Sequence, residues 1–269
     1  VRDSLQGMFS FVLEKSNNFT IEVYPSGEYF VKGSPENDAY FLYQKENKKY
    51  QLAMYYYKLD VQKEPSKKDS LYNELQKKMD TFNVFQKQFF ALYPNNLITS
   101  VSQSMVQKTP SNFIENNKVK KGMEMEYAIY YRKHYWDTFH FNDSRILYSP
   151  YFMKKFRTYI SEITMQNPDT INEAIDEFID AAKRGGGQMY ADYIVAYYLD
   201  HSPKLPFSFN EITYVHIVDK YVNNKSTYLL PTEIQYHKNN VNKLRPFLPG
   251  NIMPNIVTRD FNGQEHSLY

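Results

Sequence analysis

The chain has 269 residues, with 32 basic and 30 acidic side chains and a net charge of +2. This balance gives no electrostatic argument for binding nucleic acid or an anionic membrane. The absence of cysteine excludes disulfides, thiolate metal sites and thiol catalysis within these residues. No apolar run is long enough to cross a bilayer. Because the chain begins at Val1, the lack of a signal peptide does not argue against export.

Three short strands are predicted in the first 35 residues. They are Met8 to Leu13, Phe19 to Val23 and Glu28 to Lys32, and the second alternates apolar and polar side chains as a half-buried strand does. A Gly- and Pro-containing stretch at residues 33–37 ends this β segment. We therefore predict a β segment at residues 1–35, a helical domain at 36–248, and a linker with a first hairpin of a further domain at 249–269.

Helical periodicity begins at Asp38 and is clearest from Lys68 to Leu92. There, six apolar residues recur three or four apart and form one stripe: Leu71, Leu75, Met79, Phe82, Phe85 and Phe89. Further helices are predicted at Leu97–Met105, Met123–Trp136, Pro150–Ile163, 169–184, Met189–Leu199, Asn210–Val222 and Thr232–Leu244. Asp169 is the predicted N-cap of its helix, and Thr109 to Asn117 is a predicted loop. The fold class is mainly α with a small β segment, as multi-helix layers rich in Tyr and Phe.

The last sixteen residues predict a hairpin. Pro254 to Asp260 is an extended run, Asn262-Gly263 is a strong signal for a two-residue type I′ turn, and Gln264 to Tyr269 is the returning strand. A lone hairpin is marginally stable in water. We therefore expect this one to open a second domain and to pack weakly on its own.

The string MPNIVTRDFNGQEHSLY resembles the entry hairpin of thioredoxin-like, TlpA-type thiol–disulfide oxidoreductases. The segment Lys133 to Ile160 is similar to one found in bacterial envelope proteins of that kind, where a helical domain of unknown function precedes the thioredoxin-like domain. The residues that carry this second similarity are His134, Tyr135, Trp136, Asp137, Phe141, Asp143, Arg145, Leu147 and Pro150. Asn167 to Ile171 also fits. Met253-Pro254-Asn255 departs from the usual Ala-Pro-Asp/Glu, and the redox Cys-x-x-Cys is absent, so no catalytic, cofactor or metal residue is assigned.

The densest set of functional side chains is His134, Trp136, Asp137, His140 and Asp143. His134 and Asp137 share one face of a helix, and with His140 they form a candidate metal site. The competing interpretation is a helix end at which Trp136 anchors the core and Asp143 caps a loop. The spacing fits no recurring metal motif, which favours this second interpretation.

Two other patterns have both a functional and a structural interpretation, and a third has a structural interpretation alone. Gly185-Gly186-Gly187 is either a phosphate cradle or, since a P-loop ending is missing, a helix C-cap with a turn. Glu173, Asp176, Glu177 and Asp180 are either paired catalytic carboxylates or a solvated helix face. The run from Lys118 to Lys121 is interpreted as solvated.

Tyrosine clusters at residues 55–57, 130–131 and 197–198 are candidates for a stacking surface. Core and boundary packing is the simpler interpretation, because consecutive residues of a helix point in different directions.

Two functions follow from these patterns. The resemblance implies a non-catalytic accessory region of a periplasmic or envelope-associated oxidoreductase. Such a region would position or select protein substrates or mediate association, including homodimerisation, beside a carboxy-terminal thioredoxin-like domain. The tyrosine clusters imply instead a helical module that binds a peptide or glycan. No cofactor is expected. A cysteine-free hydrolase has no supporting triad or metal motif.

Overall fold

A computed structural model describes residues 10–13, 18–25, 28–107, 110–115, 118–201, 210–222, 228–252 and 255–267. Helices dominate, with a two-stranded sheet near the amino end and a strand hairpin near the carboxyl end, so the predicted fold class is confirmed. The chain divides into two compact units, Val1–Val106 and Gln107–Tyr269. The boundaries expected at residues 35/36 and 248/249 stay predictions.

The sheet of the first unit consists of β1, Thr20–Val23, and β2, Tyr29–Lys32. The two strands are antiparallel, with Ile21 opposite Val31. Both predicted strands are confirmed. Val31 of β2 is buried, but in β1 Ile21 is only half-buried and Val23 is exposed, so the apolar alternation that predicted β1 is not matched by its burial.

The first predicted strand is wrong where the structure describes it. Met8 and Phe9 lie outside the described residues, and residues 10–13 belong to no strand. The backbone of Val12 pairs instead with the Asn37 side chain. Its N–H donates to Asn37 Oδ1 at 2.7 Å, and Asn37 Nδ2 donates to its carbonyl at 2.8 Å. An amide side chain thus satisfies the groups that a neighbouring strand would pair.

The described residues of the first unit also form three α-helices: α1, Pro35–Lys63; α2, Lys68–Leu92; and α3, Leu97–Ser104. The bounds of α2 agree with the prediction. Helix α1 begins three residues earlier than predicted, because Ser34 caps it by accepting from the Asn37 N–H and Pro35 occupies the first turn, where a missing N–H costs nothing.

Aromatic rings fill the interface between α1 and α2. Tyr50 and Phe82 stack with their centroids 4.9 Å apart, and the centroids of Tyr43 and Phe89 are 5.2 Å apart. Within α2 only Leu75 and Phe89 are buried. The predicted apolar stripe therefore faces α1, but a single facing helix covers it only in part.

The second unit contains six helices within its described residues: α4, Glu124–Lys133; α5, Pro150–Thr158; α6, Pro168–Arg184; α7, Gln188–His201; α8, Asn210–Tyr221; and α9, Pro231–Leu244. The segment predicted as a loop, Thr109 to Asn117, includes a 3₁₀ helix at Ser111–Phe113 and the two-residue strand β3, Ile114–Glu115. Strand β3 pairs with β4, Lys118–Val119.

Two helix ends in this unit differ from prediction. Helix α4 ends at Lys133 rather than Trp136. The N-cap of α6 is Asn167, whose side chain accepts from the Thr170 N–H, and not Asp169. Pro168 follows the cap and fixes the first helical φ angle, which leaves Asp169 inside the first turn.

Helix α5 does not continue as an α-helix to Ile163. From Tyr159 to Ile163 the chain forms a π-helix, closed by a hydrogen bond of 3.1 Å from the Thr164 N–H to the Tyr159 carbonyl. Both the Tyr159 ring and Thr164 are buried. The wider turn thus ends the helix inside the core.

Aromatic side chains form the core of the second unit. Trp136 and Phe156 contact Phe178 with centroid distances of 4.8 and 5.0 Å. Phe152 lies 5.0 Å from Tyr190. All five are at most 5% exposed. These five buried rings meet in edge-to-face contacts, an arrangement that adds to the stabilisation gained by burying their apolar surface.

The carboxyl-terminal hairpin consists of β5, Val257–Arg259, and β6, Glu265–Ser267, with Val257 opposite Ser267. Every residue of both strands is exposed. The predicted hairpin is confirmed, and its exposure agrees with the expectation of weak packing.

The hairpin turn lies one residue earlier than the predicted type I′ turn. The Gly263 N–H donates to the Asp260 carbonyl, and the Asp260 N–H donates to the Gln264 carbonyl, both at 3.0 Å. Gly263 has a φ of +82°. This is a three-residue loop, in which glycine supplies the left-handed residue of a G1 bulge. The Asp260 carboxylate also accepts from the N–H groups of Asn262 and Gln264.

Candidate functional site

His134 lies at the carboxyl end of α4, where it pairs with one carboxylate. Its Nδ1 is 2.6 Å from Asp137 Oδ2, and its ring stacks on Tyr130 with a centroid distance of 4.1 Å. Both His134 and Asp137 are substantially exposed. Within the described residues, no three His, Asp or Glu side chains are placed to hold a metal ion. The geometry is that of a helix end.

Asp143 caps the 3₁₀ helix Ser144–Tyr148. Its carboxylate accepts from the Arg145 N–H at 3.1 Å, and the Arg145 guanidinium returns to the same carboxylate at 2.7 and 2.8 Å. Its carbonyl accepts the Tyr190 hydroxyl at 2.6 Å. With Trp136 buried in the core, the structural interpretation of this segment is confirmed.

The three glycines form the carboxyl cap of α6. Gly186 has a φ of +78° and donates to the Lys183 carbonyl, and Gly187 donates to the Ala182 carbonyl at 2.8 Å. This pair of bonds is the Schellman arrangement. Gly185 and Gly187 have a second role, because a Cβ on either would lie 2.8 Å from Phe141 Cβ. The glycines serve capping and close packing.

The acidic face of α6 is not simply solvated, as the sequence suggested. Glu173 is exposed, but Glu177 is half-buried. Both accept from Arg132 of α4, at 2.8 and 3.0 Å, and Glu177 also accepts the Tyr159 hydroxyl at 2.8 Å. Desolvation first, and then the Glu177 carboxylate, raise the pKa of Tyr159. The face thus ties α4 and the π-helix to α6.

Asp176, on the same helix, joins α6 to α8. It accepts from Lys220 at 2.7 Å, lies 2.9 Å from His216 Nε2, and accepts the Tyr221 hydroxyl. Burial acts to raise the pKa of Asp176, but the hydrogen bonds from these three partners outweigh it, so the pKa lies below its usual value. The sequence did not reveal this hub, the Asp176 carboxylate with its three partners, because the partners are 40 to 45 positions away in the chain.

Lys155 on α5 is a buried cation that sequence reasoning did not identify. It is 6% exposed. Its Nζ lies 4.2 Å from the ring centroid of Tyr135 and 5.6 Å from that of Trp136. Throughout the described part of the chain, no carboxylate forms an ion pair with it. Burial lowers its pKa from 10.5 to about 8.

A signal for Lys155 does exist in the sequence. Phe152, Phe156 and Tyr159 are spaced on one helix face, and Lys155 occupies the remaining position of that stripe, three after Phe152. Apolar residues at positions i, i+4 and i+7 bury position i+3 as well. A lysine there is therefore expected to be inside.

The indole N–H of Trp136 is another polar group in this region without a hydrogen-bond partner. Its indole Nε1 is buried and makes no hydrogen bond. Two further side-chain atoms among the described residues share this property, Gln107 Oε1 and Asn172 Oδ1. Both of these are acceptors, so the indole is the one donor in the set.

A groove of about 750 Å³ lies between the amino ends of α6 and α8 and the carboxyl end of α9. Its walls are mostly apolar, and Asp169 and Glu211 add two carboxylates: Pro168, Asp169, Glu211, Ile212, Leu244, Phe247, Leu248, Pro249 and Asn251. It contains one aromatic residue, so it is not formed by the tyrosine clusters.

The tyrosine clusters lie on different elements. Tyr55 and Tyr56 of α1 are exposed, at 57% and 56%, whereas Tyr198 of α7 is buried. Tyr130 and Tyr131 of α4 are half-buried. Their rings contact near neighbours, as Tyr55 contacts Tyr56 and Tyr131 contacts Tyr135. Each cluster therefore belongs to its own local packing.

No helix in the described residues combines the length and the apolar character that crossing a membrane requires.

Comparisons with known proteins give a match for one part of the chain. No curated protein and no solved structure matches the chain. A family model does match, over residues 119–244, which run from β4 to the end of α9. That stretch includes Lys155, Trp136 and the Asp176 hub. The helical domain of unknown function expected from the sequence is thus supported, whereas no comparison links it to thioredoxin-family proteins. Residues 119–244 match the family model described as Domain of unknown function (DUF5106).

Proposed function

We propose that this chain is the non-catalytic amino-terminal region of a cell-envelope thiol–disulfide oxidoreductase. Its helical units would position or select protein substrates, or mediate association, for a thioredoxin-like domain that follows. The envelope location rests on the sequence resemblance alone. The chain would have no redox activity of its own, because it has no cysteine to supply the nucleophilic thiolate.

The exposed hairpin is the observation that carries this proposal. Ile252 is 94% exposed, Phe261 is 97% exposed and Val257 is 56% exposed. An isolated two-stranded unit is marginally stable, and its outer edges present unpaired backbone groups. A larger sheet would pair these edges and cover the apolar side chains. A thioredoxin-like domain, whose entry hairpin this hairpin resembles, would provide such a sheet.

The reading frame that encodes the chain provides the first test. We expect a Cys-x-x-Cys motif within about 40 residues after Tyr269, the distance at which a redox motif follows in a βαβ unit. A frame that ends at Tyr269, or that continues without such a motif, would refute the proposal.

Hydrogen exchange provides the second test. The amides of Val257 to Arg259 should exchange quickly in this chain and become protected in the protein that includes the continuation, because the sheet then pairs them. The amides of α2 provide the control, and their protection should not change. Equal protection of β5 in both proteins would contradict the proposal.

The groove at α6, α8 and α9 favours a second candidate function, a module that binds a peptide or glycan. Its volume lies within the range of pockets that bind small ligands. A panel of peptides and glycans would test this in a thermal-shift assay, since a ligand that binds only the folded state raises Tm. A Leu244→Asp variant should lose any response, and an unchanged Tm across the panel would count against this function.

A further inference from the structure

The groove at the amino ends of α6 and α8 is apolar but is lined by carboxylates from two different helices. Asp169 lies in the first turn of α6, and Glu211 lies in the first turn of α8. The half-buried side chains of Ile212, Leu244 and Leu248 line the same groove. Each carboxylate favours the amino end of its own helix, and the packing of the two helices brings both charges to one cavity.

No charge within the described residues balances these two carboxylates. Asp169 and Glu211 are both exposed, and neither side chain has a hydrogen bond or an ion pair with any described residue. No Lys, Arg or His is among the described residues that line the groove. The groove is therefore an apolar surface with a net negative charge, and its electrostatic complement is a cation.

The apolar walls narrow the class of cation. Calcium and magnesium take many oxygen ligands, and no three His, Asp or Glu side chains of the described residues are placed to hold a metal ion. A glycan, which is rich in hydroxyl groups, finds few polar partners on such walls. Lysine and arginine side chains combine an apolar stem with a charged head, so a peptide that contains them matches both properties of the groove.

We propose that this groove binds a peptide segment in which basic side chains flank apolar ones. The basic heads would pair with Asp169 and Glu211, and the apolar side chains would cover Leu244 and Phe247, of which the second is 60% exposed in the free chain. The proposal rests on the second candidate function, a module that binds a peptide or glycan, and assigns its ligand class. It does not depend on the redox context.

Four short ligands test the charge and the apolar requirement separately. Acetyl-Lys-Leu-Leu-Lys-amide has both features, acetyl-Gln-Leu-Leu-Gln-amide lacks the charge, acetyl-Lys-Ser-Ser-Lys-amide lacks the apolar side chains, and maltotetraose represents a glycan. Binding is followed in a ¹H–¹³C methyl spectrum of the full chain through the peaks of Ile212, Leu244 and Leu248. The peak of Ile175, which is buried in the core, is the control and should not move.

We expect the first peptide to move the groove peaks saturably and to bind at least about fivefold more tightly than either of the other peptides. The factor follows from two partly exposed ion pairs for the glutamine peptide and from the lost apolar burial for the serine peptide. Added NaCl should reduce the advantage over the glutamine peptide, because salt screens exposed charges.

Substitutions in the chain make the test specific. Asp169→Asn combined with Glu211→Gln should remove the preference for the lysine peptide over the glutamine peptide. Asp180→Asn removes a charge from an exposed position of the same helix outside the groove and should keep the preference. If circular dichroism shows that the double variant does not fold, each single variant should reduce the preference in part.

Each adverse result has a separate meaning. Equal affinity for the lysine and glutamine peptides, or a preference that persists in the folded double variant, would overturn the role of the carboxylates while keeping the groove as a peptide site. Tighter binding of maltotetraose than of the lysine peptide would overturn the proposal in favour of a glycan. No movement of the groove peaks by any ligand would also overturn it, and the second candidate function would then depend on the thermal-shift panel.

Discussion

Arg132 of α4 reaches Glu177 of α6, with 3.0 Å between Nη2 and Oε1, and the same carboxylate accepts the Tyr159 hydroxyl at 2.8 Å. Three separate segments of the second unit therefore meet at one half-buried carboxylate. Glu173, one turn away, contacts the same arginine but is 60% exposed at its side chain. The two glutamates form a matched pair that differs mainly in burial.

Glu177→Gln should destabilise the protein more than Glu173→Gln does. We expect a loss of about 1–2 kcal/mol in the free energy of unfolding for the first, since it removes a charge from two hydrogen bonds. For the exposed glutamate we expect less than about 0.5 kcal/mol, as for other surface ion pairs. Urea unfolding followed by circular dichroism measures both. Equal losses would show that burial does not set the strength of this contact.

Lys155→Met should stabilise the protein at neutral pH. Burial lowers the pKa of Lys155 from 10.5 to about 8, so at pH 7 both folded and unfolded chains are protonated and the full cost of the buried charge is present. As the pH rises above about 8, the folded chain loses this proton first, and the cost declines. We expect a gain of about 1–2 kcal/mol at pH 7, after allowing for the lost cation–π contact.

The pH dependence of that gain is the sharper measurement. It should shrink as the pH rises from 7 towards 9.5, and Lys154→Met should show neither the gain nor the trend. The series should stop there, because burial raises the pKa values of Tyr135 and Tyr159 and their loss of protons on unfolding lowers stability at higher pH. A gain that does not vary with pH would exclude the buried charge as its cause.

Asp176 should make the protein sensitive to acid. Its pKa is below 3.8 in the folded chain, so its contribution to stability is complete above that value and is lost as the pH falls through the lower, folded value. Asp176→Asn should therefore reduce stability at pH 7 and flatten the decline below about pH 4. Asp180→Asn, an exposed position on the same helix, provides the control. An unchanged acid limb in the Asp176 variant would contradict this account.

Replacing Gly186 or Gly187 by alanine should lower the stability of the protein, for a different physical reason at each position. Gly186 has a φ of +78° and open space around it, so alanine should cost about 1 kcal/mol in backbone strain. At Gly187 a Cβ would lie 2.7 Å from the Phe141 carbonyl oxygen, and we expect about 1–3 kcal/mol from overpacking. Thermal unfolding of the two variants measures the difference, and a smaller loss at Gly187 would contradict the packing role.

Limited proteolysis should cut the chain between Pro249 and Asn255 before it cuts within α2 or α6. Exposed segments that bury little apolar surface open most readily, and Ile252 is 94% exposed. Mass spectrometry of the first fragments identifies the site. An early cut inside a helix would show that the hairpin is held more firmly than its exposure suggests.

Local patterns in the sequence were sufficient for most of the elements. The bounds of α2 and the end of α6 before Gly185 follow from apolar periodicity and glycine punctuation, both of which act over a few residues. The errors arise where two local signals compete. The N-cap is Asn167 rather than Asp169, because Pro168 follows Asn167 and occupies the first helical position. The hairpin turn lies one residue earlier than predicted, because the Asp260 carboxylate accepts from the N–H groups of Asn262 and Gln264.

The site could not be predicted in the same way. Asp176 depends on His216, Lys220 and Tyr221, which reach it through the packing of α8 on α6, and no local pattern contains that arrangement. Lys155 was accessible in principle from its position on an apolar stripe. The interpretation of His134 as a metal ligand rested on residue types alone, without their geometry. In the structure His134 is paired with the carboxylate of Asp137.

The hairpin near the carboxyl end has a consequence for the order in which the chain folds. Its turn is closed by Asp260 and Gly263, and the strand pairing joins residues no more than ten positions apart. Closing so short a loop costs little chain entropy, and hairpins form within about 1–10 μs. The two strands would therefore reach any sheet that receives them with their register already set, as one prepared unit rather than two separate strands.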